Sequence, residues 1–418
     1  MLHRERETMR CTIYRYRQQE LVFFLFFYLL VFQNPLTKYV SPAFLYADEV
    51  FALLGAAFVI YLGFSSVKKL VIKKDTLRLL AFLLVFAACG LTGNLLYRYQ
   101  RADLVLKDLY INLKFFLSVA SGFYLLRYAR PDENRVLRHT KGCTVFLFLL
   151  LMIDLLLDIF PHSGYRYGIK IRNLIFGHVT YLAGTCAFLL SVFLFYYEKR
   201  NLKYMAMALL VLVSTVRSKA LASAAAYLVV LYFIVVKRQR IRLWHILLMA
   251  ALGIFIAWEQ ISFYYIELSG QSARSVLTRT SFEIMKDFFP IGTGFGTYGS
   301  DVAGQSYSPV YVEYGFTRVH ELRKETGFFS DTFWPIIIGQ TGFVGTLCYL
   351  AVLLTLFRKT AKVRSASRGA YGAVLFIFVF LLISSTSEPT FNNAVSIPPA
   401  MLLGFALSAA DETGGAKA

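Results

Sequence analysis

The sequence predicts an all-α fold, a polytopic integral membrane bundle of about twelve transmembrane helices with one large extracytoplasmic loop, and three observations predict it. Hydrophobic residues fill 57% of the 418 positions and charged residues only 17%, against roughly 25% charged in a soluble globular chain. At about 20 apolar residues per span, that supply furnishes roughly a dozen spans and leaves little for a water-soluble domain. The apolar residues also come in unbroken runs, as in LRLLAFLLVFAACGLTG at 77–93, without the period of two that a membrane β-strand needs. Residues 1–418 therefore read as a single membrane domain.

Apolar runs and their flanks place the spans near 19–36, 47–66, 77–97, 104–126, 143–160, 174–197, 203–216, 219–236, 243–263, 331–357, 370–386 and 394–409. The first run follows a basic segment, yet no small-residue cleavage site follows Asn34-Pro35, so it reads as a retained span and not a signal peptide. Net charge is +19, from 44 basic against 25 acidic residues. In a soluble chain that would suggest nucleic acid; here its location makes it an orientation signal instead.

Basic residues recur at every second connection. They are Arg4, Arg6, Arg10, Arg15 and Arg17, then Lys68, Lys69, Lys73, Lys74 and Arg78, then Arg127, Arg130, Arg135, Arg138 and Lys141. Lys199, Arg200 and Lys203 follow, then Lys237, Arg238, Arg240 and Arg242, then Arg358, Lys359, Lys362, Arg364 and Arg368, and last Lys417. The positive-inside rule puts all of these, and both termini, in the cytoplasm. Cys11, Cys89, Cys143, Cys186 and Cys348 are odd in number, widely spaced and mostly inside runs, so they read as small packing residues.

The one long connection, residues 264–330, falls outside. It is rich in aromatics, including Phe282, Phe288, Phe295, Phe316, Phe329, Tyr264, Tyr298, Tyr307, Tyr311 and Tyr314, which is unlike a disordered segment. Its start places Leu277, Ile284, Met285 and Phe288 on one side at helical spacing, an amphipathic helix at the outer membrane surface that runs into Pro290 and a glycine turn.

Basic charge on the outer face runs against the orientation signal and needs an anion to explain it. Arg217 and Lys219 lie in the tight turn STVRSKALAS. Either they snorkel toward lipid phosphate, or they form a designated phosphate site for which an arginine fork is suited. Arg274 sits near the N-terminus of the amphipathic helix, where the macrodipole disfavours a cation without a bound anion. Arg279 is a second cation there, with an i,i+4 pair to Glu283 as its simpler explanation.

The run PIGTGFGTYG includes Gly294 and Gly296 in a formal GxGxxG match. A dinucleotide site is excluded by the absence of a βαβ context. A sharp turn and a backbone N–H nest for phosphate remain as two readings. Carboxylate and imidazole candidates outside are Asp331, His320, Asp48, Glu49 and Glu388. Asp331 opens the tenth run, either as a helix cap or as a general base above apolar surroundings. Asp154 and Asp158 share a helix face, with Lys107 or Lys114 on a neighbouring span as expected partners. No zinc spacing, Walker motif, GxSxG or HExxH occurs, so no metal or cofactor is expected.

Together VRSKAL at 216–221, ARSVLTRTSFEIMKDFFPIGTGFGTYGS at 273–300, YSPVYVEYG at 307–315, SDTFWPIIIGQTGFVG at 330–345 and YADEVFALL at the second span resemble the O-antigen polymerase and ligase superfamily, most closely its Wzy-type exopolysaccharide polymerases. The resemblance implies an enzyme of the bacterial inner membrane that joins undecaprenyl-pyrophosphate-linked oligosaccharides on the outer side. It implies that Arg217 and Arg274 neutralise pyrophosphate, that Lys219 and Arg279 assist, and that a base drives a metal-independent inverting transfer. Where the ligase branch has His, a polar residue, nine residues and GxxG, this chain has Asp331-Thr332, nine residues and Gly342-Phe-Val-Gly345. That departure favours a polymerase and makes Asp331 the candidate base. The implied partners are lipid-linked donor and acceptor, the bilayer, a chain-length regulator and a flippase. Competing readings are a ligase, a transporter or flippase with a path lined by Asp154 and Lys114, and a non-catalytic scaffold.

Overall fold

A computed structural model describes residues 18–65, 74–129, 131–268, 270–365 and 367–415. Cys11 and the predicted cytoplasmic charges Arg4, Arg6, Arg10, Arg15, Arg17, Lys68, Lys69, Lys73, Arg130 and Lys417 lie outside the described residues.

The chain is a helical bundle, and each apolar run of the sequence is a helix. In order these are α1 (Gln18–Val31) and α2 (Gln33–Tyr39), one run bent by 71°. Then come α3 (Ala47–Ser65), α4 (Lys74–Tyr97), α5 (Ala102–Ala129), α6 (Glu133–Leu157), α7 (Val179–Phe195) and α8 (Leu202–Ser214). α9 (Ser218–Val236) and α10 (Leu243–Glu267) each end in a π-helical turn. After α11 (Ala273–Asp287), α12 (Asp301–Ser306) and α13 (Pro309–Glu313), the bundle closes with α14 (Trp334–Thr360), α15 (Arg368–Ser385) and α16 (Ile397–Gly415). Among the described residues eight helices are long and apolar enough to cross a membrane, or nine with the bent pair. The remaining apolar runs form α3, the 17-residue α7 and the 13-residue α8.

α5 packs between α3 and α16, α14 against α4 and α11, α7 against α15, and α9 against α10. The α5–α16 contact is backbone-close: a Cβ on Gly122 would lie 2.3 Å from the Met401 carbonyl oxygen. Small residues of this kind let apolar helices associate where no hydrophobic drive separates protein from lipid tails. Cys89, Cys143 and Cys186 are buried thiols, in keeping with their packing role.

Two features depart from the expected all-helical plan. A two-stranded antiparallel hairpin, β1 (His162–Arg166) and β2 (Ile169–Arg172), joins α6 to α7. Tyr167 and Gly168 at its tip both have positive φ, 52° and 73°, the backbone of a two-residue hairpin turn. The hairpin also captures the α6 carboxylates: Asp154 pairs with Arg172 and Asp158 with Lys170, not with the expected Lys107 or Lys114. Lys114 instead holds Asp48 at 2.6 Å, deep between α5 and α3.

Residues 273–329 build a second apolar core of their own from Leu277, Ile284, Tyr298, Val310, Tyr311, Phe316, Leu322 and Phe329. Leu277 and Ile284 of α11 face this core, and α11 packs on α14, so its apolar stripe is covered by protein. The glycine run between α11 and α12 enters the bundle itself. α14 breaks at Gly342 (φ 61°, ψ −159°), and the carbonyls this exposes at Gly339 and Gln340 accept from Thr293 N–H (3.1 Å) and Gly294 N–H (2.9 Å). Backbone that leaves helical pairing at such depth survives only where protein re-satisfies it.

Candidate functional site

One end of the bundle gathers a cationic cluster from four separate stretches of chain. Arg217 occupies the N-cap position of α9, in a turn made tight by the positive φ of Val216 (48°). Arg166 comes from the end of β1, with Nη1 3.4 Å from Ser218 Oγ. In the amide orientation that points its oxygen at donors, Gln260 accepts both Arg166 Nη atoms at 2.5 Å. Arg274, in the first turn of α11, lies over the Tyr264 ring at 4.5 Å and donates from Nε to Asp331 Oδ2 at 3.2 Å. Asp331 stands just before α14.

The groups sense one another electrostatically. Burial first, then Arg166 and Arg274, hold the Arg217 guanidinium below its usual pKa, while Tyr264 and Asp331 act in the other direction. The Arg217 Nε is buried without a hydrogen-bond partner, which is costly for a charged donor. Beneath it Lys219 pairs with Glu388, from the α15–α16 connection, and donates to Thr180 Oγ1 at 3.2 Å. Thr180 also donates to Glu388.

His178 caps α7. Its Nδ1 accepts from Thr180 N–H at 3.3 Å, and its Nε2 lies 3.4 Å from Arg217 Nη2. Burial, Arg217 and Lys219 push its pKa down to about 4, so the ring is neutral near pH 7.

The structure thus brings together Arg217, Arg274, Asp331, Lys219 and Glu388, all named from sequence. Arg279 stands apart, exposed and paired with Glu283 at 3.1 Å across one helical turn. Gly294 and Gly296 are buried in the bundle, and their N–H groups are committed to the Gln340 carbonyl and to Asp108 Oδ2, at 2.9 Å each. The same segment is clamped by Asn94, which accepts from Phe295 N–H at 2.8 Å and donates to its carbonyl at 3.0 Å. These glycines serve a buried close-packed turn, and their N–H groups address protein. Asp48 is enclosed by Lys114 and Gln33, Glu49 lies in the first turn of α3, and His320 is exposed.

Arg166, His178, Thr180 and Tyr264 belong to the site without having been marked in the sequence as site residues. For Arg166 the signal was present: YRYGIKIR alternates residue types around a glycine, the pattern of a short hairpin. His178 carries no local signal, because its role follows from a contact 39 residues away.

No family model matches the chain, and no curated protein matches it significantly. The chemistry must be read from the site: guanidinium groups for an oxyanion, a carboxylate held beside them, and no group of three or more metal-ligating side chains among the described residues.

Proposed function

We propose that this chain is a polysaccharide polymerase that extends a surface glycan from undecaprenyl-pyrophosphate-linked repeat units on the outer side of the bacterial inner membrane. The observation that supports it best is the Arg217–Arg274–Asp331 cluster, assembled from the α8–α9 turn, the start of α11 and the start of α14. A lipid-linked glycosyl donor needs its pyrophosphate leaving group stabilised and its acceptor hydroxyl deprotonated. In this reading Asp331 takes the proton from the acceptor hydroxyl. The oxygen bonds to the anomeric carbon from the face opposite the pyrophosphate, whose C–O bond breaks with inversion. The lipid pyrophosphate leaves with the electron pair, its charge met by guanidinium groups.

All twelve apolar runs then span the membrane, both termini are cytoplasmic, and the site opens outward. Partners are the lipid-linked donor and acceptor, the bilayer, a chain-length regulator and a flippase; nucleic acid has no part. A ligase is the nearest alternative, since it needs the same leaving-group site. Transport through a path lined by Asp154 and Lys114 finds less support, because each is already paired elsewhere, with Arg172 and Asp48.

The test is a deletion strain complemented with wild type, Arg217→Ala, Arg274→Ala or Asp331→Ala at matched expression. The expected outcome is loss of the glycan size ladder in all three variants, with single repeat units remaining on lipid or at the surface. Full-length polymer retained on its carrier would show a ligase, and units trapped on the cytoplasmic side would leave transport.

A further inference from the structure

The cations of the cluster are not equivalent. Lys219 is neutralised by Glu388, and Arg274 by Asp331. Among the described residues neither Arg166 nor Arg217 has a carboxylate within ion-pair distance; their recorded partners are Ser218, Gln260 and His178. Both lie at the α9 N-terminus, where the helix dipole adds positive potential and further disfavours uncompensated cations. Glu259, next to Gln260 in the chain, is engaged by the Tyr167 hydroxyl.

The His178 geometry narrows the ligand. A neutral imidazole has one N–H, and Nδ1 accepts from the Thr180 backbone, so the proton resides on Nε2. That N–H then points at the Arg217 Nη2 donor 3.4 Å away. Two donors facing each other gain nothing until an acceptor oxygen sits where both can reach it. The buried, unpartnered Arg217 Nε is a further donor of the same group.

We propose that Arg166 and Arg217, with the His178 Nε2–H, form the diphosphate grip, and that Arg274 instead positions Asp331. This assignment rests on the lipid-pyrophosphate reading above and divides its labour. A diphosphate diester carries two negative charges, which matches the two guanidinium groups lacking a carboxylate. The hairpin β1–β2 becomes the element that completes the ligand site, latched to α6 through Arg172–Asp154 and Lys170–Asp158. Arg274, packed over Tyr264 and bound through Nε, holds the Asp331 carboxylate in place for the acceptor hydroxyl.

Calorimetric titration of inorganic pyrophosphate into the purified, detergent-solubilised full chain separates the roles. Arg166→Gln and Arg217→Gln are each expected to weaken binding about tenfold or more, the loss of a charge-assisted hydrogen-bonding partner. His178→Ala is expected to weaken it less, with a small drop in thermal midpoint from loss of the α7 cap. The double variant Arg274→Gln with Asp331→Asn removes one charge of each sign. It is expected to bind pyrophosphate within about threefold of wild type, while its strain makes no ladder. Arg166→Lys, which keeps the charge, checks against a folding defect and recovers part of the affinity.

Wild-type binding by Arg166→Gln, or a double variant as weak as Arg217→Gln, overturns the assignment and leaves the polymerase reading standing. A wild type that does not bind pyrophosphate also overturns it. A normal ladder from the Arg217→Ala strain would instead remove the reading on which the assignment rests.

Discussion

At the residue scale, the buried charges divide into pairs that hold the bundle and groups with no carboxylate partner among the described residues. Lys114 and Asp48 illustrate the first kind: both are nearly inaccessible, and Gln33 Nε2 adds a 2.7 Å hydrogen bond to the carboxylate. Removing one partner strands the other in a low-dielectric interior. Lys114→Met is therefore expected to destabilise the detergent-solubilised protein by about 3–5 kcal/mol, whereas Lys114→Met with Asp48→Leu should recover most of that loss. Thermal unfolding of both variants reads this directly; equal loss in the two would mean that packing and not charge dominates there. Arg217, Lys219 and Arg274 were legible in the sequence because cations on the outer side of predicted spans contradict the orientation signal. Asp331 was legible as a carboxylate opening an apolar run, with helix cap and base as open readings, and the resemblance to a spaced motif then favoured the base. His178 was hidden because nothing in its own neighbourhood announces a contact made across the fold, and for Arg166 the hairpin pattern was visible but its approach to the α9 N-terminus was not.

At the element scale, α14 and the glycine run form one device. The break at Gly342 frees carbonyls that the run fills, and Asn94, Asp108 and Gln340 satisfy what remains of its backbone. A Cβ on Gly294 would stand 2.5 Å from Asn94 Cγ, at a φ of +101° that L side chains avoid. Gly294→Ala is expected to cost about 1–3 kcal/mol from overpacking and backbone strain, seen as a lower thermal midpoint and a reduced yield of folded protein. In the loop core Tyr311 stacks between Phe316 and Phe329, centroids 5.0 and 5.1 Å away, and its hydroxyl accepts from Gly299 N–H at 2.9 Å. Tyr311→Ala should destabilise the loop by about 3–5 kcal/mol, and Tyr311→Phe by about 1 kcal/mol. Faster amide exchange confined to 273–329 would report it, and unchanged exchange would contradict it. The aromatic content of this loop predicted an ordered unit. Neither its descent into the bundle nor the hairpin was expected, because both depend on partners brought from elsewhere in the chain: Asn94 and Asp108 for the one, Asp154 and Asp158 for the other.

At the scale of the whole molecule, continuous apolar runs and alternating basic flanks carried the helical architecture. Every run is a helix, and among the described residues eight or nine meet the length and hydropathy of a span. α7 is short because it begins only at Val179, well inside its apolar run, and α8 because its run is itself short and closes at the tight Thr215–Val216 turn. The most buried of the candidate spans, α15 and α16, form the centre, while α10 is the most peripheral. The cationic cluster and the aromatic loop meet at the same end, where the proposed reaction would place leaving-group charge and acceptor hydroxyl together. The most direct measurement is turnover by the purified chain in proteoliposomes supplied with a lipid-linked repeat unit and no other enzyme. The account predicts glycans of increasing length with one lipid pyrophosphate released per linkage, and loss of both products with Asp331→Asn. Unaltered repeat units beside an active, correctly folded preparation, or elongation that persists in Asp331→Asn, would contradict it.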